Sequence, residues 1–258
     1  MVNYHKYFLV NPNAPTQRQS IPPLTSLHVK TQNVQGLRGE VTRRSAHKLF
    51  WLKSHVASDL DFLVLTETET HSDAIRFRRL RHGLSLSLST TRREASAGVI
   101  IYSSSKHSLI PGSTRESDIP GHFIMGVYKL QNNTDTVVCG FYGRSDHADV
   151  AARDILVDLK QKLALLQHIY STDNILLLGD FNAVRDLTDT TSPINRKART
   201  TDFLNEMLID LHLTDIAEFA GDVSHTWNRL GPDCQSSRLD YIFTNLPLQQ
   251  VPYNLTHS

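Results

Sequence analysis

The sequence predicts an α/β fold in which two β-sheets pack face to face and helices cover their outer faces. Three observations predict it. The chain opens with a strand, helix, strand succession; its middle is a run of strand patterns without helical spacing; and its longest helical pattern leads directly into a buried strand.

In the first strand Leu27, Val29 and Thr31 share one face and His28, Lys30 and Gln32 the other, the period of a half-buried strand. It closes at Asn33, Val34, Gln35, Gly36. Val41, Ser45, Leu49, Leu52 and Val56 then recur at spacings of three and four, so 40–58 reads as a helix with its apolar side inward. The run Asp61 to Leu65 is almost wholly apolar and stops at Thr66 and Glu67, as a central strand delivering polar groups at its carboxyl end would.

Leu84, Leu86 and Leu88 alternate with serines, and Gly98 to Tyr102, Phe123 to Leu130 and Thr136 to Tyr142 continue as strands, which implies antiparallel pairing. Ile155, Leu159, Leu163, Leu166 and Ile169 then fall on one helical face, with Ser145 or Asp146 as a cap and Asp149 favourably placed near the amino end. Asn174 to Leu178 is a buried strand ending in Gly179, Asp180, Phe181, Asn182. A third helix follows on Phe203, Leu204, Met207, Leu208 and Leu211, with short strands at His225 to Asn228 and Arg238 to Phe243.

The totals narrow the class. With 258 residues, 40% hydrophobic and 21% charged, the chain is an ordinary globular domain; residues 1–23, rich in Pro, Asn, Gln and Ser from Asn11 on, read as a flexible leader to a single domain over 24–258. Lys and Arg number 27 against 26 Asp and Glu, so no global basic field recruits nucleic acid and any such binding is local. Two cysteines, Cys139 and Cys234, are too few for a disulfide framework, and Cys139 in an apolar run reads as a small buried hydrophobe. No signal peptide or membrane span is evident, so the expected setting is intracellular, the nucleus included, and not secreted.

Polar groups at strand ends carry the chemistry: Asn33, Glu67, the pair Asp180 and Asn182, and Asp240. Carboxylates there cost free energy unless a positive partner meets them, and a hard divalent cation does so. Magnesium takes few protein oxygens and keeps water, so Glu67 and the Asn33 amide oxygen suffice as the protein share. Taken singly, each residue also has a structural explanation: a turn, a cap or a surface pair.

Taken in order, TQNVQG (Thr31 to Gly36), LVLTET (Leu63 to Thr68), Phe141 with Tyr142, LGDFN (Leu178 to Asn182), HTW (His225 to Trp227) and LDYIF (Leu239 to Phe243) resemble the successive motifs of the endonuclease/exonuclease/phosphatase superfamily. The resemblance implies a deoxyribonuclease-like four-layer sandwich, two mixed sheets flanked by helices, with one metal site at an edge of the sheets. It implies Asn33 and Glu67 as metal ligands, with magnesium as the ion and manganese as a substitute. Tyr142 resembles a phosphate-contacting hydroxyl, Asp180 and Asn182 the groups that align the attacking water and transition state, and Asp240 the carboxylate that orients a histidine. Thr226 and Trp227 resemble a loop beside the substrate.

There are departures. The Ser-Asp-His motif that usually follows the LDYIF aspartate is not in the sequence, which ends at Thr256, His257, Ser258; truncation before that motif is the favoured expectation, and degeneration the alternative. Loss of such a general acid or base costs about 10²- to 10⁴-fold, so weak activity or none is expected of this chain. Arg144 stands where relatives often carry proline, as either a solvated side chain or a phosphate contact. Glu69 competes with Glu67, which is better placed directly after the strand.

The versions of the motifs are most similar to retrotransposon and apurinic-type endonucleases, so the expected reaction is metal-assisted cleavage of a DNA strand, with DNA as substrate, no membrane and no obligate protein partner. Arg76, Arg78, Arg79, Arg81, Arg92 and Arg93 form one basic cluster, and Arg185, Arg196, Lys197 and Arg199 a second beside LGDFN; both favour a polyanion. The alternatives are a lipid or inositol phosphate phosphodiesterase and a catalytically dead binding copy.

Overall fold

The computed structural model describes residues 7–8, 26–34, 60–69, 80, 83–90, 97–145, 149–191, 198–221, 227–228 and 236–247. The fourteen strands among them are β1 (Tyr7–Phe8), β2 (His28–Asn33), β3 (Phe62–Thr66), β4 (Leu84–Ser89), β5 (Val99–Ser104), β6 (Ser108–Leu109), β7 (Arg115–Glu116), β8 (Phe123–Lys129), β9 (Asp135–Tyr142), β10 (Ile175–Asp180), β11 (Thr214–Asp215), β12 (Trp227–Asn228), β13 (Ser236–Ser237) and β14 (Asp240–Thr244). The helices are α1 (Asp149–Tyr170), α2 (Ala198–Asp210) and the single turn α3 (Ile216–Phe219), with a 3₁₀ turn at Leu187–Asp189.

Two mixed sheets result. The first runs β1-β2-β3-β5-β4 and the second β11-β14-β10-β9-β8-β6, with β7 also on β8. Only β2 with β3, and β9 with β10, pair in parallel; every other pairing within these two sheets is antiparallel. Tyr7–Phe8, within the segment read as a leader, lies antiparallel to β2.

The inner faces meet through Val29, Phe62, Val64, Val99 and Ile101 of the first sheet and Ile124, Tyr128, Val138, Leu176, Leu178 and Ile242 of the second. The outer face of the second sheet is sealed by Ile155, Leu159, Leu163 and Leu166 of α1 and Leu204, Met207 and Leu208 of α2, packed on Phe123, Met125, Cys139, Leu177 and Phe243. Each side chain fully buried in this way contributes about 1.5–3 kcal/mol. The first sheet's outer face, with Leu63, Leu65, Ile100 and Tyr102, is buried as well. The helix expected over 40–58 lies outside the described residues.

The fold class stands as expected, and one local reading is corrected. β2 is not half-buried: Lys30, Thr31 and Gln32 are 7%, 4% and 5% exposed, because the strand lies inside its sheet with both faces covered. Alternation of polar and apolar residues imitated a solvated face. Burial lowers the Lys30 ammonium to about 7. No helix among the described residues is long and apolar enough to cross a membrane.

Candidate active site

Topology gathers the strand-end residues at one edge. Parallel β2 and β3 present their carboxyl ends together, aligning Asn33 with Thr66 just before Glu67, and parallel β9 and β10 align Tyr142 with Asp180. Because β14 runs antiparallel to β10, its first residue, Asp240, is the register partner of Asp180. Residues more than 200 positions apart thus meet by strand direction alone.

Direct contacts join the two sheets there. The Asn33 amide donates to Asp180 Oδ2 at 2.9 Å, and the Tyr142 hydroxyl donates to Glu67 Oε1 at 3.0 Å. The Asn182 backbone N–H donates to Asp180 Oδ1 at 2.9 Å, while its side-chain amide donates to the Gly143 carbonyl at 2.9 Å. Glu67 and Asn182 have φ of 52° and 47°, the left-handed region that side chains with a Cβ rarely occupy. Such positions cost about 1–3 kcal/mol and persist where the surrounding structure over-determines them, characteristically at functional sites.

The loops after β9 and β10 touch. A Cβ on Gly143 would lie 1.9 Å from the Phe181 carbonyl oxygen, so only glycine allows this approach. Gly143→Ala is expected to force the loops apart at a cost of about 1–3 kcal/mol, read as a lowered Tm. An unchanged Tm would contradict the close approach.

Electrostatics set this edge apart. Burial, and then the neighbouring Asp240 carboxylate, push the Asp180 carboxyl well above the usual carboxylate range; Glu67 adds to the rise, against the opposing hydrogen bonds from Asn33 and Asn182. Burial, then Glu67, also raise the Tyr142 hydroxyl, keeping it a neutral donor. Acidic oxygens at one sheet edge, Asp180 with Asp240 and Glu67 near enough to raise its carboxyl, are the donor chemistry of a hard cation. Among the described residues no three His, Cys, Asp or Glu side chains form a cage by themselves. A cation here would therefore draw on one or two protein oxygens and leave its other positions to water and substrate, as magnesium does.

The Glu69 backbone N–H donates to the Ala97 carbonyl at 3.2 Å, and the Glu67 side chain accepts the Tyr142 hydroxyl. Arg144 follows Gly143 directly and is half-buried. Trp227 is paired through β12 with Ser237, three residues before Asp240; Thr226 lies outside the described residues.

The basic clusters fare differently. Arg76, Arg78, Arg79, Arg81, Arg92, Arg93, Arg196 and Lys197 lie outside the described residues, and Arg199 is exposed. Arg185 does not present its charge as expected: its guanidinium pairs with Glu218 and lies 3.9 Å from Asp215.

Sequence reasoning passed over His122. Its Nδ1 lies 2.8 Å from the Tyr142 carbonyl, its own carbonyl accepts the Tyr142 N–H at 2.6 Å, and its ring stacks at 6.1 Å on the Tyr142 ring. A lone histidine before a strand carried no signal of this.

The sequence pattern of the Endonuclease/Exonuclease/phosphatase family matches residues 31–253, nearly the whole chain. The chain belongs to that family. Family members and the solved structures they resemble are hydrolytic nucleases and phosphatases. Among those structures is the Neisseria 3′ phosphatase NExo bound to a product DNA hairpin, with a TM-score of 0.62 at 18% identity, covering 84% of this chain and 85% of that one. The Xenopus laevis APE2 catalytic domain also gives 0.62, at 15% identity and coverage of 84% and 82%. The endonuclease domain of TRAS1, a telomere-specific non-LTR retrotransposon, gives 0.51 at 13% identity, covering 83% of each chain. At these identities the likeness concerns the deoxyribonuclease-like fold. Comparison with curated proteins finds no match.

Proposed function

We propose that this family member is a divalent-metal-dependent phosphodiester hydrolase that nicks DNA, of the retroelement or apurinic type. The observation that carries the reading is the Asn33 to Asp180 hydrogen bond at 2.9 Å, which joins the ends of strands from different sheets within reach of Tyr142, Glu67 and Asp240. DNA as the substrate is supported by the DNA-bound phosphatase and the retrotransposon endonuclease domain among the structures of the same fold.

Glu67 and the Asn33 amide oxygen would hold the ion, magnesium or manganese. When bound, it supplies charge neutralisation for the phosphoryl oxygens and the leaving oxygen. The chain's own groups do the rest. Asp180, with its raised pKa and two hydrogen bonds from neighbours, is suited to take a proton from the attacking water and to fix that water's direction. Tyr142 and Asn182 are neutral donors able to face a phosphoryl oxygen without repelling it, which is the logic of an oxyanion site. Asp240 stands beside Asp180 as the second carboxylate, placed to orient a proton-transfer partner. In this reading Arg144, beside Gly143, contacts a phosphate of the strand, and Thr226 and Trp227 are the proposed substrate-bordering residues.

The test is conversion of supercoiled plasmid to nicked circle by the chain in molar excess, with magnesium and with a chelator. Slow magnesium-dependent nicking is expected. Retained DNA binding in a gel shift with no nicking would overturn the hydrolase reading in favour of a binding copy.

A further inference from the structure

Behind the site lies a buried ionic cluster that the proposed chemistry does not use. Arg238, Asp189 and Asp215 are 2%, 1% and 1% exposed. Arg238 donates from Nε to Asp189 Oδ1 at 2.7 Å, its Nη2 forms an ion pair with Asp215 Oδ2 at 2.7 Å, and its own N–H donates to the Asp189 carbonyl at 2.7 Å. The guanidinium lies over the Tyr241 ring at 4.6 Å, and the Tyr241 hydroxyl is 2.9 Å from Asp189 Oδ2. Two cations, Arg238 and Arg185, thus face the two buried anions Asp189 and Asp215.

Burying such a set is a poor route to stability, since well-packed apolar side chains of the same volume commonly do as well or better. What it does well is fix geometry, because a planar guanidinium holding two carboxylates permits one arrangement. Its location gives that geometry a use. Arg238 lies two residues before Asp240, and Leu239 between them accepts the Phe181 N–H at 2.8 Å. Downstream of Asn182, Asp189 Oδ2 accepts the Arg185 N–H at 3.3 Å, Thr201 donates to the Val184 carbonyl at 2.7 Å and Asn205 to the Arg185 carbonyl at 3.1 Å. The segment carrying the left-handed Asn182 is therefore anchored on both sides, and the far anchor closes on Arg238.

We propose that Arg238, through its bridge to Asp189 and Asp215, is a positioning residue that sets the Asp180 to Asn182 turn against Asp240. The role rests on the hydrolase reading above, with Asn182 as the group through which it acts. Arg238→Lys keeps the charge but loses the two-carboxylate bridge, and Asp189→Asn keeps the shape but weakens the ion pair.

Two measurements test it. In hydrogen exchange on the full chain, the Asn182 and Arg185 amides of a folded Arg238→Lys protein should exchange at least about 10-fold faster, while Leu176 and Leu178 in β10 keep their protection. In plasmid nicking, displacement of the turn should lower kcat about 10- to 100-fold with KM little changed. The double variant Arg238→Lys with Asn182→Ala should be no slower than Asn182→Ala alone. Unchanged exchange at Asn182 and Arg185, or fully additive rate losses, would overturn the proposal. If Arg238→Lys fails to fold, Asp189→Asn is read by the same exchange criterion. A wild-type chain that never nicks overturns the hydrolase reading instead, and the exchange result still decides whether the brace exists.

Discussion

Asp180→Asn is expected to abolish DNA nicking while raising the melting temperature of the metal-free protein. The two effects share one cause. Asp180 is buried and faces Asp240 and Glu67, so its ionised form is unfavourable in the folded chain, and its carboxyl is raised well above the usual range. A raised folded-state pKa favours folding at acid pH, and the advantage is lost as pH rises through the folded value. Above it the carboxylate is a net cost, which asparagine removes while its oxygen still accepts the Asn182 N–H and its amide donates to the Asn33 oxygen once the Asn33 amide turns over. A gain of about 2–4 °C is the response to ~1 kcal/mol in a chain of this size. The Tm of the metal-free wild type should therefore fall more steeply from weakly acid to neutral pH than that of the variant. Loss of activity with loss of stability would mean that Asp180 supports the fold and not the chemistry.

Glu67→Gln is expected to reduce nicking by about 10³-fold or more, because several kcal/mol of transition-state charge stabilisation would depend on the ion proposed to bind it. The fold should be little affected. Glutamine retains an oxygen to accept the Tyr142 hydroxyl, is no better or worse suited to the left-handed backbone at this position, and removes one of the charges that raise Asp180. Single-turnover nicking with circular dichroism as the folding control checks this. A rate within tenfold of wild type would remove Glu67 from the metal site.

Much of this was legible in the sequence because it is carried by chain order and strand periodicity. Asn33, Tyr142 and Asp180 each end a strand, Glu67 directly follows one and Asp240 begins one, and strand direction with the packing of the two sheets then brings them to one edge. Other features depend on pairings that no local pattern encodes. The Arg238 bridge joins residues 49 apart in sequence, and no local pattern around Asp189 signals a side chain 1% exposed. Arg185 read as part of a basic cluster favouring a polyanion because its charge is visible in sequence and its partners, Glu218 and Asp215, are not. Lys30 misled in the opposite way, since a lysine in an alternating strand reads as solvated until both faces of that strand are covered.

The proposed hydrolysis requires a divalent ion held by Glu67 and the Asn33 amide oxygen. Thermal melting of the wild-type chain during a magnesium titration, at constant ionic strength, measures that most directly, because a ligand preferring the folded state raises Tm by a saturable amount. A saturable rise in the wild type, absent from Glu67→Gln, is the predicted result. A Tm indifferent to magnesium and manganese, or the same rise in both proteins, would contradict it.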